Sequence, residues 1–257
     1  MTSSMTDSQN PRTAFVIGGS RGVGAAAVRQ YAARGTRVAI GYTANDEAAK
    51  ETARAAAEVG PEPILVKGDL GTEGAAMTVR AAEELGGLDA LVTTAVPLIT
   101  GRTLGVTRED YERAFDVQVW GLWEIVRAGL PYLADGGGAV VAVTSLGSNS
   151  YARYYGALGP AKAAMEGLVR YYAAELGPKQ VRVNAVSPCL IDNPGHGGED
   201  QIAGVHEVIA AVAAKTPMRR LATPDEIASV AVALTTPAFV FVTGQVIAVD
   251  GGYSLLA

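Results

Sequence analysis

The stretch Thr13-Ala14-Phe15-Val16-Ile17-Gly18-Gly19-Ser20-Arg21-Gly22-Val23-Gly24 decides the fold. Ala14–Ile17 is a short, continuously apolar run, the pattern of a strand covered on both faces. An Ala-rich segment with helical spacing, Val23–Arg34, follows the glycines. Glycines here allow a tight turn and let backbone N–H groups approach an anion at the positive end of a helix. A glycine-rich turn alone is also an ordinary strand–helix connection. Placed between a strand and a helix at the first crossover, it reads as a dinucleotide-binding turn that uses Gly18, Ser20, Arg21, Gly22 and Gly24.

Outward from this turn the same alternation continues. Candidate strands are Arg37–Gly41, Ile64–Lys67, Leu88–Thr93, Val140–Thr144, Val181–Val186 and Val246–Val249. Helical patterns occupy Glu47–Val59, Ala75–Leu85 and Tyr111–Leu133. Apolar strands separated by helices describe one α/β domain: a doubly wound, Rossmann-type parallel sheet of about seven strands with helices on both faces. The domain is expected over residues 12–257, behind a flexible tail at 1–11. Asp192–Lys215 follows the sixth strand and contains Asn193-Pro194-Gly195 and Gly197-Gly198. It is read as a substrate lid, against a plain surface excursion.

Composition bounds the function. Hydrophobic residues make up 49% and charged residues 18% of the 257, a globular balance. A net charge of -5 without basic clusters argues against a nucleic-acid surface. No apolar run approaches the roughly 18–20 residues that span a bilayer. The single Cys189 fits a reducing compartment, and the polar N-terminus lacks a secretory h-region, so a cytoplasmic location is expected. His196 and His206 have no metal-ligand spacing with Cys189, and no metal is expected. Cys189 itself reads as a packed small residue rather than a reactive thiol.

An acidic residue at the end of the second strand would bind the adenosine ribose of NAD. Gly41-Tyr42-Thr43 stands there, with no carboxylate before Asp46. Arg21 can face a 2′-phosphate, so NADP(H) is favoured. Asp69, after the third strand, is placed to meet the adenine or to cap a helix.

Several motifs together resemble the short-chain dehydrogenase/reductase family, from about Thr13 to Ser254. They are Gly18-x-x-x-Gly22-x-Gly24, Asp69-Leu70, Lys162-Ala163-Ala164, Val181-Arg182-Val183-Asn184-Ala185-Val186-Ser187-Pro188, and Gly244-Gln245 with Val249-Asp250-Gly251-Gly252. The resemblance implies cofactor contacts from Val23, Tyr42, Leu70, Lys162, Pro188 and Ile191. It also implies a homotetramer and catalysis by serine, tyrosine and lysine. Ser145 lies 17 positions before Lys162, the family spacing, but Leu158 stands four before it, where the tyrosine belongs.

Tyr155 instead lies seven before Lys162. This spacing resembles the enoyl-acyl-carrier-protein reductase branch, in which a second tyrosine near Tyr151 lies beside the substrate. On an ideal helix both spacings share the lysine's face, with seven reaching about 4.5 Å further along the axis. Pro160 disfavours helix at Gly159, which brings Tyr155 from the loop before the helix. Tyr151 and Tyr154 compete for the same role. Other positions depart from the family: Thr93-Thr94-Ala95-Val96, Gln118 for an asparagine, Pro188-Cys189 for Pro-Gly, and Ile17 for a threonine.

Two activities follow from these residues. One is NADPH-dependent reduction of the C=C bond of an enoyl thioester, small or carrier-bound, with Tyr155 bonding the thioester oxygen. The other is a ketoreductase or alcohol dehydrogenase, which retained Ser145 favours. A non-catalytic NADP(H)-binding scaffold is a third reading. Arg219-Arg220 reads equally as an acidic-partner contact or a surface ion pair.

Overall fold

A computed structural model describes residues 10–133, 136–193 and 205–256. Seven strands form one wholly parallel sheet: β1 Thr13–Ile17, β2 Arg37–Tyr42, β3 Ile64–Lys67, β4 Ala90–Thr93, β5 Ala139–Val143, β6 Arg182–Pro188 and β7 Val246–Val249. The order is β3-β2-β1-β4-β5-β6-β7, so the winding reverses between β1 and β4. That reversal opens a crevice beyond the carboxyl ends of the strands, where such sheets bind ligands.

The helices are α1 Gly22–Ala32, α2 Asp46–Ala57, α3 Leu70–Leu85, α4 Arg108–Phe115, α5 Gly121–Leu133, α6 Leu158–Leu176, α7 Val205–Lys215 and α8 Pro224–Thr235. Alternate strand residues serve opposite faces. Phe15 and Ile17 pack with α3, α5 and α6, whereas Ala14 and Val16 pack with α1, α2 and α8. Every side chain of β1 is therefore buried, which is why the strand is apolar throughout.

Local chemistry sets the helix ends. Asn45 caps α2, Asp69 caps α3, and capping boxes at Thr107–Asp110 and Thr223–Glu226 start α4 and α8. α3 begins five residues before the expected Ala75 because its cap lies at Asp69. The single helix expected over Tyr111–Leu133 is divided. A π-helical turn, Asp116–Trp120, separates α4 from α5. The fourth strand starts at Ala90 rather than Leu88, and the sixth runs on to Pro188. The expected lid at 192–215 lies partly outside the described residues, and its final part is helix α7. No helix among the described residues is long and apolar enough to cross a membrane.

Candidate active site

At the switch point, the glycine turn is tied to β2: Gly18 N and Gly19 N both donate to Gly41 O, at 2.9 and 3.0 Å. Gly18 has φ +79°, and a Cβ there would lie 2.7 Å from Ala95 N. A Cβ at Gly24 would lie 2.1 Å from Gly18 O. The turn closes only without side chains at these two places. Arg21 is the N-cap of α1 but makes no side-chain capping bond, and the first turn holds no acid. Its leading N–H groups thus present uncompensated positive potential to the crevice. This cradle fits a pyrophosphate. Thr52 Oγ1 donates to Ser20 O at 3.0 Å and fixes the turn from α2, while Val23 and Leu70 are buried alongside.

Tyr42 ends β2, and its phenol pKa is raised by desolvation and by neighbouring Asp46. Asp46 also pairs with Lys67 at 2.9 Å. The carboxylate nearest the second strand is thereby engaged by Tyr42 and Lys67. Arg21 is exposed and has no ion pair among the described residues.

Asp69 is a helix cap and an ion-pair partner. Its Oδ1 accepts from Gly71 N at 2.8 Å, and Arg113 grips both oxygens at 2.9 and 2.6 Å. The Arg113 guanidinium above all holds its carboxyl below the usual range. Both oxygens of Asp69 are thus engaged within the protein.

Pro188 closes β6, Ile191 bridges to Ala222, and the loop then brings Asn193 over the glycine turn. A Cβ at Gly22 would lie 3.0 Å from Asn193 Nδ2. Asn193 is a cofactor-side residue that the sequence reading did not single out. Burial above all pushes the half-buried Cys189 thiol up.

The tyrosine pocket lies at the end of β5. Ser145 accepts from Gly147 N at 3.2 Å and opens a 3₁₀ turn, Leu146–Ser148. Tyr155 leaves the loop just before α6 and packs its ring on Gly147, where a Cβ would lie 2.7 Å from Tyr155 Cδ1. Desolvation raises its phenol pKa, and a hydrogen bond with Ser145 partly offsets the rise. Tyr154 has φ +63°, an uncommon conformation for a bulky residue. Backbone bonds hold it: Gly101 N donates to Tyr154 O, and Gly156 N to Gly101 O, each at 2.9 Å. Gly159 is helical despite preceding Pro160, which sits within the first turn of α6.

Leu158, at the family's usual tyrosine position, is buried with Ile99, Ala114 and Ala161 and faces no solvent. A cavity of about 350 Å³ joins Tyr155, Tyr151 and Tyr154, with Tyr151 85% exposed at its edge. Tyr155 is the one of the three whose ring packs on Gly147.

Lys162 is buried, and Nζ donates to Val143 O at 2.6 Å. Desolvation lowers its pKa to about 7 against the opposing charge of Glu166. No direct Lys162–Tyr155 hydrogen bond exists among the described residues. Glu166, one helical turn on, is buried and accepts from Thr144 Oγ1 at 2.8 Å and from Ser148 Oγ. It anchors the Ser145 turn to α6. A carboxylate four residues from a lysine reads as a surface pair in sequence, so its burial gave no signal.

Gln118 lies in the π turn and donates to Ala95 O at 2.9 Å. Its Oε1 and Thr93 Oγ1 are buried without hydrogen-bond partners. Arg220 pairs with Glu226, and Arg219 donates to Ala214 O at the end of α7, so the surface-pair reading holds for Arg220.

Comparison with known proteins agrees with this geometry. The family described as Enoyl-(Acyl carrier protein) reductase matches residues 17–254. The chain is 36% identical to cis-4-hydroxycyclohexanecarboxylate dehydrogenase of Sinomonas cyclohexanicum, over 95% of this chain and 96% of that one. It is 31% identical to 1-cyclohexenylcarbonyl-CoA reductase of Streptomyces collinus, over 96% and 88% respectively. A short-chain dehydrogenase/reductase from Serratia marcescens BCRC 10948 superposes with a TM-score of 0.87 at 28% identity, covering 95% of this chain and 98% of that one. The chain is an oxidoreductase that uses a nicotinamide dinucleotide and a small-molecule substrate, and it belongs to the short-chain dehydrogenase/reductase family.

Proposed function

We propose that the chain is an NADPH-dependent reductase of a C=C bond conjugated to a thioester carbonyl. The observation that carries the reading is the sheltered Tyr155 phenol, with its raised pKa, beside Ser145 in a pocket of about 350 Å³. A phenol that stays neutral is a hydrogen-bond donor. It suits an oxygen that gathers negative charge without needing a full proton. Bound NADPH supplies the hydride. Tyr155 would donate to the thioester oxygen as charge builds, Ser145 would orient the phenol, Lys162 would hold the nicotinamide ribose, and the α-carbon of the resulting enolate would take its proton from solvent. The relative that reduces 1-cyclohexenylcarbonyl-CoA supports this chemistry.

Gly18, Ser20, Gly22, Val23 and Gly24 would cradle the pyrophosphate, with Leu70, Pro188 and Ile191 along the dinucleotide. Arg21, at the N-cap and unpaired, would meet the 2′-phosphate near Tyr42. One charge-assisted contact accounts for a tenfold preference over NADH, about 1.4 kcal/mol. Equal dissociation constants for the two cofactors would remove the NADPH assignment.

Carbonyl reduction is the second reading. The retained Ser145 near Tyr155 and the similarity to cis-4-hydroxycyclohexanecarboxylate dehydrogenase favour it. Supplying NADPH with crotonyl-CoA and, separately, acetoacetyl-CoA separates the two once products are identified. Butyryl product from the first supports enoyl reduction. Hydroxybutyryl product from the second, with crotonyl-CoA untouched, replaces it with the ketoreductase reading.

A further inference from the structure

We infer that the substrate carries an anionic group, a carboxylate or phosphate, which docks on Arg102 at the mouth of the tyrosine pocket. The inference rests on Tyr155 marking the reactive end of that pocket. Among the lining residues Arg102 is the only charged side chain, and no carboxylate faces it there, although the chain as a whole carries a charge of -5. Arg102 is exposed and forms no ion pair among the described residues. Arg108, Arg113 and Arg220 are paired with carboxylates, whereas Arg21, like Arg102, has no ion pair among the described residues.

Backbone geometry fixes Arg102 relative to Tyr155. The parallel bridge Gly101↔Tyr155 carries both the Gly101 N to Tyr154 O bond and the Gly156 N to Gly101 O bond. A Cβ at Gly156 would lie 2.5 Å from Thr103 N and 2.8 Å from Arg102 C, so the two segments touch backbone to backbone. Tyr111 Oη donates to Gly156 O at 2.9 Å and braces the contact from α4. The uncommon backbone of Tyr154 is held in this clamp. A loop arginine is ordinarily free to wander, but this one starts from a point pinned to the catalytic segment.

A second cation stands outside it. The Arg153 guanidinium lies 4.9 Å from the centre of the Tyr154 ring, and that ring lines the pocket. Tyr151 adds a phenol at the same mouth, while the Ser148 and Ser150 hydroxyls there donate to Glu166 Oε1 and Asn149 Oδ1. A planar guanidinium beside a phenol, with no carboxylate among the lining residues, is a donor set for an oxyanion. The oxyanion can be the substrate's own carboxylate or a phosphate of a coenzyme A thioester.

Two matched pairs test the inference and separate the sources. Crotonyl-CoA is set against crotonyl-N-acetylcysteamine, and levulinate against methyl levulinate, on wild type, Arg102→Ala, Arg102→Lys and the remote exposed control Arg54→Ala. The readouts are kcat/KM and the dissociation constant of each probe for the enzyme–NADPH complex. In wild type at least one charged probe exceeds its neutral partner by about tenfold. Arg102→Ala collapses that ratio, Arg102→Lys keeps part of it, and Arg54→Ala preserves it. A preference confined to levulinate assigns the carboxylate, and one confined to crotonyl-CoA assigns the phosphate. Binding is read even where no probe turns over, so a failed reductase assignment stays distinct from a failed anion site. Equal binding within both pairs, or a ratio untouched by Arg102→Ala, overturns the inference.

Discussion

In the proposed mechanism Tyr155 is a neutral donor and Lys162 a buried amine that holds the ribose, and each predicts its own signature. Tyr155→Phe keeps the ring on Gly147 but removes the hydroxyl. Turnover should fall ~10²–10³-fold with NADPH affinity almost unchanged, whereas Tyr151→Phe, at an exposed rim, should cost less. Wild-type kcat in Tyr155→Phe would end the tyrosine assignment. Lys162 acts on stability through its pKa, about 7 in the fold against 10.5 for an ordinary lysine. Between those values the unfolded chain holds a proton that the folded protein without cofactor has released. Its stability should therefore rise with pH from about 7 upward. Below 7 both states are protonated, and the burden of the buried charge is fully present. Lys162→Met should flatten the rise between pH 7 and 8.5, below the range where Cys189 and the tyrosines titrate. An identical slope in denaturant midpoints for both proteins would show that Lys162 is not its source. At this scale the sequence revealed which residue types matter, not their partners. The Tyr155 and Lys162 expectations came from the spacing that resembles the reductase branch of the family. Burial of Glu166, capture of Asp69 by Arg113 and the approach of Asn193 to Gly22 did not, because each joins residues from different elements.

The elements carry the same contrast. β1 and the glycine turn were readable because a buried strand must be apolar and a turn with φ near +79° at Gly18 favours glycine. The π turn was not, because Asp116–Trp120 continues the amphipathic pattern of its flanking helices and differs only in hydrogen-bond register. Likewise, the five residues added to the start of α3 came from a cap that periodicity cannot show. Two glycines make the distinction measurable. Gly24→Ala would place a methyl 2.1 Å from the Gly18 carbonyl, a backbone neighbour that cannot rotate away. Overpacking of this kind costs about 1–3 kcal/mol. At roughly 2–4 °C per kcal/mol for a chain of this size, Tm should fall by several degrees, and NADPH should bind more weakly. Gly167→Ala is the converse. It lies inside α6 with nothing within 4 Å of a new methyl, and should raise stability by about 0.4–1 kcal/mol. If both variants melted alike, the tight closure of the turn would be wrong.

For the whole molecule, the parallel, doubly wound sheet followed from alternation, whereas the order of the strands and the outer surface did not. Amphipathic patterning says which side of a helix meets the sheet but not what the remaining apolar side chains meet. Two such faces remain. One crosses α5 and α6: Trp120 is 55% and Tyr171 72% exposed, Trp120 packs edge-on against Trp123, and Tyr172 Oη bonds Trp123 O to join the helices. The other lies at the open edge of the sheet, where β7 pairs only with β6, with Phe241 wholly exposed and Leu255 and Leu256 at 82% and 73%. Exposed apolar groups are candidate sites of protein contact. If each face pairs with its own copy, the two together generate a tetramer with three perpendicular two-fold axes, and either alone generates a dimer. Light scattering should therefore give about four times the 26.4 kDa chain mass. Tyr171→Glu and Phe241→Glu should each leave a dimer, because a charge buried in one face spares the other. The double variant should be a folded monomer with an unchanged far-UV spectrum. A wild-type protein that runs at the chain mass across micromolar concentrations would refute the assembly. A single substitution that yields monomers directly would mean that both faces belong to one interface.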